Sequence, residues 1–319
     1  MWCKARAVRG VLVVVAVVAA TVGSPGAFTE RSDQSLPFAF NQGVARVDGG
    51  WIFSGTDSPI PGTDVLERTD DDLNVLTAQP LPIPSTYRAQ GYDHVGDVDV
   101  AGGYLYVPFE QPTYDLGHQV TAWYDPTTLA FVDAVELPQH ENSFVTIDEA
   151  TMTAYTMDHF DGDALLRYDV RGGWKPLPPL PLTMTLHHTQ GADVADGAVW
   201  ISTSDEHNDV YRVDLATGET TGVGTLGHDG LEGEGIDATR LASGAFHAMV
   251  NDPAGPFVIF GHYDLSDAAS PESSSEPSPL PAAEPAAGLA KTGSTIPIGA
   301  AFVLLAASLC AWRLRGRHP

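Results

Sequence analysis

Two histidines and two glutamates are the side chains of this sequence best suited to acid–base chemistry. His94 and His188 each stand shortly before a run in which apolar and polar residues alternate, and Glu232 and Glu234 open another such run. Imidazole and carboxyl groups transfer protons when their surroundings bring their pKa values near the working pH. The two glutamates have no counterparts in the other runs, which favours function over folding. The candidate catalytic residues are therefore Glu234, Glu232, His94 and His188.

A divalent cation could use the same positions. Carboxylate oxygens suit calcium, and histidine nitrogens shift the preference toward a transition metal. The candidate ligands are His94, His188, Glu234, Glu110 and Asp205. No contiguous motif defines their geometry, so a solvated polar rim without a metal is the simpler alternative. Other polar residues are expected on the same rim, namely Asn41, Asp57, Ser143, Asp158, His159 and Asn251.

An internal repeat of roughly 44 to 53 residues, the period of propeller blades, gives these residues equivalent positions. Each copy predicts four short antiparallel strands, because apolar and polar residues alternate between Gly, Asp and Pro turns. Three copies are clear, at residues 46–53, 99–106 and 193–200, and two are degenerate, at residues 148–155 and 237–246.

The alternation predicts an all-β fold. The five copies predict a five-bladed β-propeller over residues 28–265, with six blades or an open sandwich as alternatives. In the second copy the strands are expected at residues 95–101, 104–109, 120–124 and 131–137. The last copy ends before its outermost strand. Residues 29–40 could supply that strand, which would close the ring and cover an open sheet edge.

The repeated pattern, VD…GG.LYV…YD, resembles that of a large class of bacterial repeat propellers. This resemblance implies the fold and leaves the function open, since such propellers include hydrolases, lactonases and binding surfaces. An aspartate recurs in four copies as Asp99, Asp148, Asp193 and Asp237, whereas the first copy has Arg46. Recurrence predicts that these aspartates order local turns. A ring of catalytic carboxylates is the alternative.

Residues 1–27 are predicted to be a secretory signal peptide. Lys4, Arg6 and Arg9 precede an apolar core, and small residues follow it. The two cysteines, Cys3 and Cys310, both lie outside the exported domain. We therefore expect no disulfide and no reactive thiol in that domain.

The C-terminal region combines a short motif, an apolar segment and a basic tail. Residues 296–312 predict a transmembrane segment and residues 313–319 a cytoplasmic tail. The motif before them resembles the substrate of class E sortases of high-GC Gram-positive bacteria, and it comprises Leu289, Ala290, Lys291, Thr292 and Gly293. That resemblance implies a sortase partner, cleavage after Thr292 and covalent attachment to peptidoglycan. An ordinary single-pass anchor is the alternative.

The exported part is acidic and ends in a stalk. Residues 266–288 are rich in Ser, Pro, Ala and Glu, which predicts an extended spacer. Residues 30–284 contain all 41 acidic residues but only nine of the 16 basic ones. Such a surface disfavours nucleic acid and anionic lipid as partners, and it suits calcium, cationic ligands or neutral glycans.

These features favour a cell-surface propeller that presents a binding surface to an envelope, glycan or protein ligand, with calcium or another divalent cation as an optional component of the channel mouth. The alternative is a secreted hydrolase of glycosides, lactones or phosphoesters, with Glu234 or Glu232 as acid or base. The domain contains no serine elbow, HExxH helix, P-loop or dinucleotide motif. No complete catalytic constellation is therefore visible in the sequence.

Overall fold

The alternating segments form β-strands in the computed structural model, which describes residues 28–56, 64–111, 118–252, 255 and 257–265. Within these ranges the strands are β1 (Phe28–Pro37), β2 (Gly43–Val47), β3 (Gly50–Gly55), β4 (Val65–Asp70), β5 (Val75–Pro80), β6 (His94–Val95), β7 (Asp99–Ala101), β8 (Tyr104–Glu110), β9 (Gln119–Tyr124), β10 (Phe131–Leu137), β11 (Thr146–Asp148), β12 (Thr153–Thr156), β13 (Gly162–Asp169), β14 (Lys175–Leu186), β15 (Thr189–Ala195), β16 (Ala198–Thr203), β17 (Asp209–Asp214), β18 (Thr220–Thr225), β19 (Glu232–Asp237), β20 (Ala245–Asn251) and β21 (Phe257–Leu265).

These strands make five antiparallel sheets, the blades. Strands β2 to β5 form blade 1, β6 to β10 blade 2, β11 to β14 blade 3, β15 to β18 blade 4, and β19 to β21 with β1 form blade 5. The inner strands β2, β7, β11, β15 and β19 contact one another in a closed ring. The predicted all-β, five-bladed β-propeller is therefore confirmed.

Helical structure in the described ranges is confined to three short pieces. The α-helix α1 spans Ser85–Arg88, and single 3₁₀ turns span Phe38–Phe40 and Leu241–Ser243. The last of these lengthens the connection between β19 and β20. This insertion explains why the fifth copy of the repeat is degenerate in sequence.

The ring closes with a strand from the beginning of the domain. Strand β1 pairs antiparallel with β21, from Phe28 opposite Leu265 to Pro37 opposite Phe257. The outermost strand of blade 5 thus comes from residues 28–37, as the sequence predicted. Closure of this kind gives β21 a hydrogen-bonding partner and joins the two ends of the domain.

Apolar side chains pack between adjacent blades. Ile52 and Leu66 of blade 1 share one buried cluster with Val95, Leu105 and Tyr124 of blade 2. All five side chains are fully buried. Each blade therefore contributes to the core of its neighbours, and burial of this surface is the main force that holds the ring together.

The inner strand of blade 2 is divided in two. The alternation of residues 95–101 predicted one strand, but β6 ends at Val95 and β7 begins at Asp99. Between them the Asp97 amide donates to the Ser143 carbonyl of blade 3 at 2.8 Å. This bond to the neighbouring blade replaces one within blade 2, which interrupts the strand.

The Asp97 carboxylate accepts hydrogen bonds from the inner strands of three other blades and from the next residue of its own strand. Its Oδ1 accepts from the amides of Val44 at 3.1 Å and Val98 at 2.9 Å. Its Oδ2 accepts from Ala192 at 3.0 Å and Ile236 at 3.2 Å. Burial raises the pKa of Asp97 well above its usual value, and these amides oppose that shift. With its own amide bound to blade 3, Asp97 connects all five blades.

Three of the recurring aspartates also connect blades. Asp99 accepts from the Ile147 amide at 2.6 Å, Asp193 from Ala238 at 2.6 Å, and Asp237 from Arg46 at 2.8 Å. Each donor lies on the inner strand of the next blade, or directly after it. The expectation of a structural role is met, but all three bind a neighbouring blade, and Asp237 in addition accepts from the Thr239 hydroxyl in its own turn.

The fourth member of the column behaves as expected. Asp148 accepts from the Ala150 amide and from the Thr151 hydroxyl in its own turn. The corresponding amide of blade 4, that of Val194, bonds instead to the Thr146 hydroxyl at 3.1 Å. A threonine therefore replaces the aspartate between blades 3 and 4.

The terminal segments lie outside the described residues. These are the predicted signal peptide at 1–27, the stalk at 266–288, the sorting motif at 289–293, the transmembrane segment at 296–312 and the tail at 313–319. In the described part of the chain, no helix is long and apolar enough to cross a membrane.

We expect Asp97→Ala to lower the free energy of unfolding by at least about 3 kcal/mol, because four buried amides would lose their acceptor. Urea denaturation of the domain measures this change. The matched control is Asp148→Ala, which removes an aspartate from a single partly exposed turn and should cost about 1 kcal/mol or less. Equal losses for the two variants would contradict the central role of Asp97.

Asp99→Asn should alter the pH dependence of stability. Burial raises the pKa of Asp99 from 3.8 to about 6, although Ile147 and Thr146 bond to its carboxylate. The folded state therefore binds this proton more tightly, and the resulting stability is lost as the pH rises from about 4 to about 6. The melting temperature of the variant relative to the wild type should increase over that interval. Calorimetry of both proteins measures the difference, and a constant difference would contradict the prediction.

Candidate functional site

Most of the candidate residues gather at one end of the propeller axis. Inner strands begin at this end, and the second strand of each blade returns to it, as the pairing of His94 with Glu110 and of Glu232 with Asn251 shows. We call this region the mouth and define it by His94 and Glu110 of blade 2, His159 and Phe160 of blade 3, His188 and Gln190 of blade 4, and Glu232, Glu234 and Asn251 of blade 5.

Glu234 is the most deeply buried acid of the mouth, with 3% of its surface exposed. Burial raises the pKa of its carboxyl well above the usual value, and the charges of Glu232, Asp97 and Glu110 raise it further. A hydrogen bond with the Asn251 side chain opposes this shift. Glu234 therefore retains its proton to a higher pH than an exposed glutamate, as a general acid or a neutral hydrogen-bond donor requires.

Asn251 also offers a buried acceptor. The residue is 4% exposed, and among the described residues its Oδ1 atom has no hydrogen-bond partner. A buried carbonyl oxygen without a donor is unfavourable by about 1–3 kcal/mol. A ligand hydroxyl or amine that donates to this atom would remove that cost.

Glu232 is partly exposed and lies nearer the rim. The Gln190 Nε2 atom donates to its Oε1 at 3.2 Å and also bonds to the Ser204 hydroxyl. Burial raises the pKa of Glu232, whereas His188 and the Gln190 hydrogen bond lower it. Glu232 and Glu234 thus have different environments. Glu234 is buried at the base of the mouth, whereas Glu232 is partly exposed and faces His188 and the Gln190 amide.

His94 and Glu110 form the blade 2 side of the mouth. The Glu110 side chain is 4% exposed, and its Oε1 accepts from the Asn142 amide at 2.7 Å. Burial, assisted by His159, lowers the pKa of His94 to about 4. The His94 imidazole is therefore neutral near pH 7, so that one ring nitrogen donates a hydrogen bond and the other accepts one.

His159 and Phe160 complete the mouth on blade 3. The His159 Nδ1 atom is 2.7 Å from the Thr189 carbonyl, which can only accept, so Nδ1 carries the proton. Burial lowers the pKa of His159 despite this bond. From the sequence, His159 was expected on the rim without a role, and Phe160 was not selected. The signal that could have identified Phe160 is that it is an aromatic residue outside the aromatic positions of the repeat.

Other residues expected on the rim are engaged in hydrogen bonds that stabilise the fold. Asp205 accepts from the Thr203 hydroxyl and from the His207 and Asp209 amides, which orders its own turn. Ser143 donates to the Thr189 carbonyl at 2.6 Å. Asn41 bonds to both backbone groups of Thr56. Asp57 lies outside the described residues.

The residues predicted to bind a metal ion do not form a coordination site. His94, His188, Glu234 and Glu110 lie on the same face, whereas the Asp205 carboxylate serves its turn. Over the described ranges, no three His, Cys, Asp or Glu side chains are placed so that they could hold one metal ion.

Comparison with solved structures finds the same architecture in glycosidases. A candidate exo-β-1,3-galactanase from Bifidobacterium bifidum superposes with a TM-score of 0.52 and 14% identity, over 76% of this chain and 94% of that one. The exo-β-1,3-galactanase of Phanerochaete chrysosporium gives 0.50 and 13%, over 77% of this chain and 64% of that one. At such identities the likeness concerns the fold alone. No protein-family model matches the sequence, and neither does any curated protein.

We expect the His94 imidazole to titrate near pH 4, because desolvation by the surrounding groups of the mouth and the nearby His159 disfavour its charged form. His207 is an internal control, since its hydrogen bond with Asp229 raises the pKa of this exposed histidine above 6.5. NMR of ¹⁵N-labelled histidine side chains over a pH series measures both. A midpoint for His94 equal to or above that of His207 would show that the mouth is open to solvent at this position.

Proposed function

We propose that this protein is displayed on the cell surface and binds a neutral glycan at the mouth of its propeller. The observation that carries the proposal is that four blades bring hydrogen-bonding groups to one mouth, among them the buried Glu234–Asn251 pair. Glycans present many hydroxyl groups that both donate and accept. A mouth with a neutral imidazole at His94, a carboxyl at Glu234 and an unpartnered oxygen on Asn251 matches such a ligand.

The charge of the domain supports a ligand without negative charge. All 41 acidic residues lie in residues 30–284, and Glu232, Glu234 and Glu110 are part of the mouth itself. A carboxylated or phosphorylated ligand would be repelled by this field. Hydroxyl groups of a neutral sugar donate to carboxylates at no such cost.

Glycoside hydrolysis is the second candidate, and the Glu234–Glu232 pair favours it. Glycosidases use two carboxyl groups whose surroundings separate their pKa values, one protonated and one ionised. Burial of Glu234 and the contact of Glu232 with Gln190 would give these two roles. The solved structures of similar fold include exo-β-1,3-galactanases, so β-1,3-linked galactose is a reasonable first substrate.

We expect purified domain to bind β-1,3-galactotriose or another neutral oligosaccharide of a glycan array, and Asn251→Ala to weaken that binding about tenfold, the equivalent of one hydrogen bond. Titration calorimetry measures the affinity. Asn74→Ala is the control, because Asn74 bonds to Asp70 in an exposed hairpin of blade 1. Absence of binding to every neutral glycan would refute the proposal.

The same samples distinguish binding from hydrolysis. Release of reducing sugar from the bound oligosaccharide, lost in Glu234→Gln, would establish the second candidate. Binding of the oligosaccharide without release of reducing sugar, in both the wild type and that variant, would support binding as the function and contradict hydrolysis.

We further propose that sortase attaches the protein to peptidoglycan at Thr292, on the basis of the motif Leu289 to Gly293 and the apolar and basic segments after it. Thr292→Ala should move the protein from the wall fraction to the membrane fraction or the medium. Thr295→Ala is the matched control, since it changes the same residue type outside the motif. Immunoblots of cell fractions measure the distribution. Wall attachment of the Thr292 variant would contradict sortase processing.

A further inference from the structure

Three rings form a cluster at the outer edge of the mouth, between blades 3 and 4. The ring centroids of His159 and Phe160 are 4.6 Å apart, those of His159 and His188 5.6 Å, and those of Phe160 and His188 5.7 Å. Phe160 is 44% exposed and His188 is also exposed. The rings meet edge to face, at interplanar angles of 77°, 79° and 87°, so the two imidazoles support the Phe160 ring, which is exposed to solvent beside the polar groups of the mouth.

Hydrogen bonds hold the backbone of this cluster in place. The Phe160 amide donates to Glu141 Oε2 at 2.8 Å. The carbonyls of His159 and His188 accept from the Thr189 and Ser204 amides, each at 2.9 Å. His188 has a φ of 54°, a left-handed conformation that a non-glycine residue adopts only where its surroundings require it. The exposed Phe160 ring therefore sits on an ordered support.

The cluster is continuous with the polar part of the mouth. The charge of His188 acts on Glu232, whose Oε1 also accepts from Gln190 Nε2 at 3.2 Å. Beyond Glu232 the mouth descends to the buried Glu234. An aromatic surface bordered on one side by a carboxylate and an amide is amphipathic in the same sense as a pyranose, which has an apolar face of C–H groups and an edge of hydroxyls.

We propose that the exposed Phe160 ring, with His159 and His188 packed edge-on against it, forms a stacking subsite for the apolar face of a neutral pyranose, with Glu232 and Gln190 bonding to the hydroxyls at its edge. The proposal rests on glycan binding at the mouth and specifies which ligands bind there. Burying the exposed face of Phe160 against C–H groups removes apolar surface from water. Pyranoses with an unobstructed apolar face, such as β-linked galactose or glucose, fit this subsite, whereas uronic acids would bring a second charge beside Glu232.

The test compares Phe160→Ala and Phe160→Trp with the matched pair Phe131→Ala and Phe131→Trp. Phe131 is 42% exposed, begins β10 and lies on the opposite face of the propeller, so it controls for loss of an exposed aromatic ring. The probes are the trisaccharides of β-1,3-galactose, β-1,4-glucose and α-1,4-galacturonic acid. Titration calorimetry gives the affinities, and thermal melts confirm that each variant is folded.

We expect Phe160→Ala to weaken binding of the neutral trisaccharides about tenfold or more. Phe160→Trp should retain binding, and its tryptophan fluorescence should change on titration. The Phe131 variants should bind as the wild type does, and the galacturonic acid trisaccharide should bind to none of the proteins.

Unchanged affinity in Phe160→Ala would overturn the stacking subsite while leaving glycan binding intact. Preference of the wild type for the galacturonic acid trisaccharide would overturn the assignment of a neutral ligand. Failure of the wild type to bind either neutral trisaccharide would remove the subsite as stated, and the wider glycan array then decides the proposed function separately.

Discussion

One carboxylate on the propeller axis satisfies amides from four inner-strand regions, and the rest of the structure depends on it. Asp97 bonds to Val44, Val98, Ala192 and Ile236, and its own amide reaches blade 3. A Cβ atom on Gly191 would lie 2.7 Å from Asp97 Oδ2, so that close approach requires glycine. Each blade alone leaves unpaired inner-edge amides at the axis, and only the assembled ring supplies their acceptor.

This arrangement separates the axis into two regions of different chemistry. On one side of Asp97, the carboxylates of Asp99, Asp193 and Asp237 accept hydrogen bonds from amides of neighbouring blades. On the other side, Glu234 has a side-chain partner only in Asn251 among the bonds described for it, and it faces the mouth. Three acids with a repeated position join neighbouring blades, whereas Glu232 and Glu234, which have no counterpart in the repeat, stand at the mouth.

The mouth is where the blades differ most clearly from one another. Three blades depart from the repeat there: blade 3 with two consecutive ring residues, blade 4 with a histidine at positive φ, and blade 5 with two glutamates. The likeness to exo-β-1,3-galactanases, at 13–14% identity, concerns the fold. It therefore supports the scaffold, and the proposed ligand depends on these particular side chains.

By itself, the sequence determined the five blades, the closing strand and the face on which His94, His188, Glu232 and Glu234 stand. Those features follow from the alternation of side chains and from turn residues, which are local signals that repeat. Only the tertiary structure decided that Asp97 is the central acceptor, that Asp205 serves its own turn, and that Phe160 joins two histidines at the mouth. The role of Asp97 and the ring cluster depend on groups that meet across blades, in the case of Asp97 and Ile236 139 residues apart, and no local pattern records such a contact. The role of Asp205 depends on the conformation of its turn, which decides whether the carboxylate faces the mouth or the backbone amides beside it.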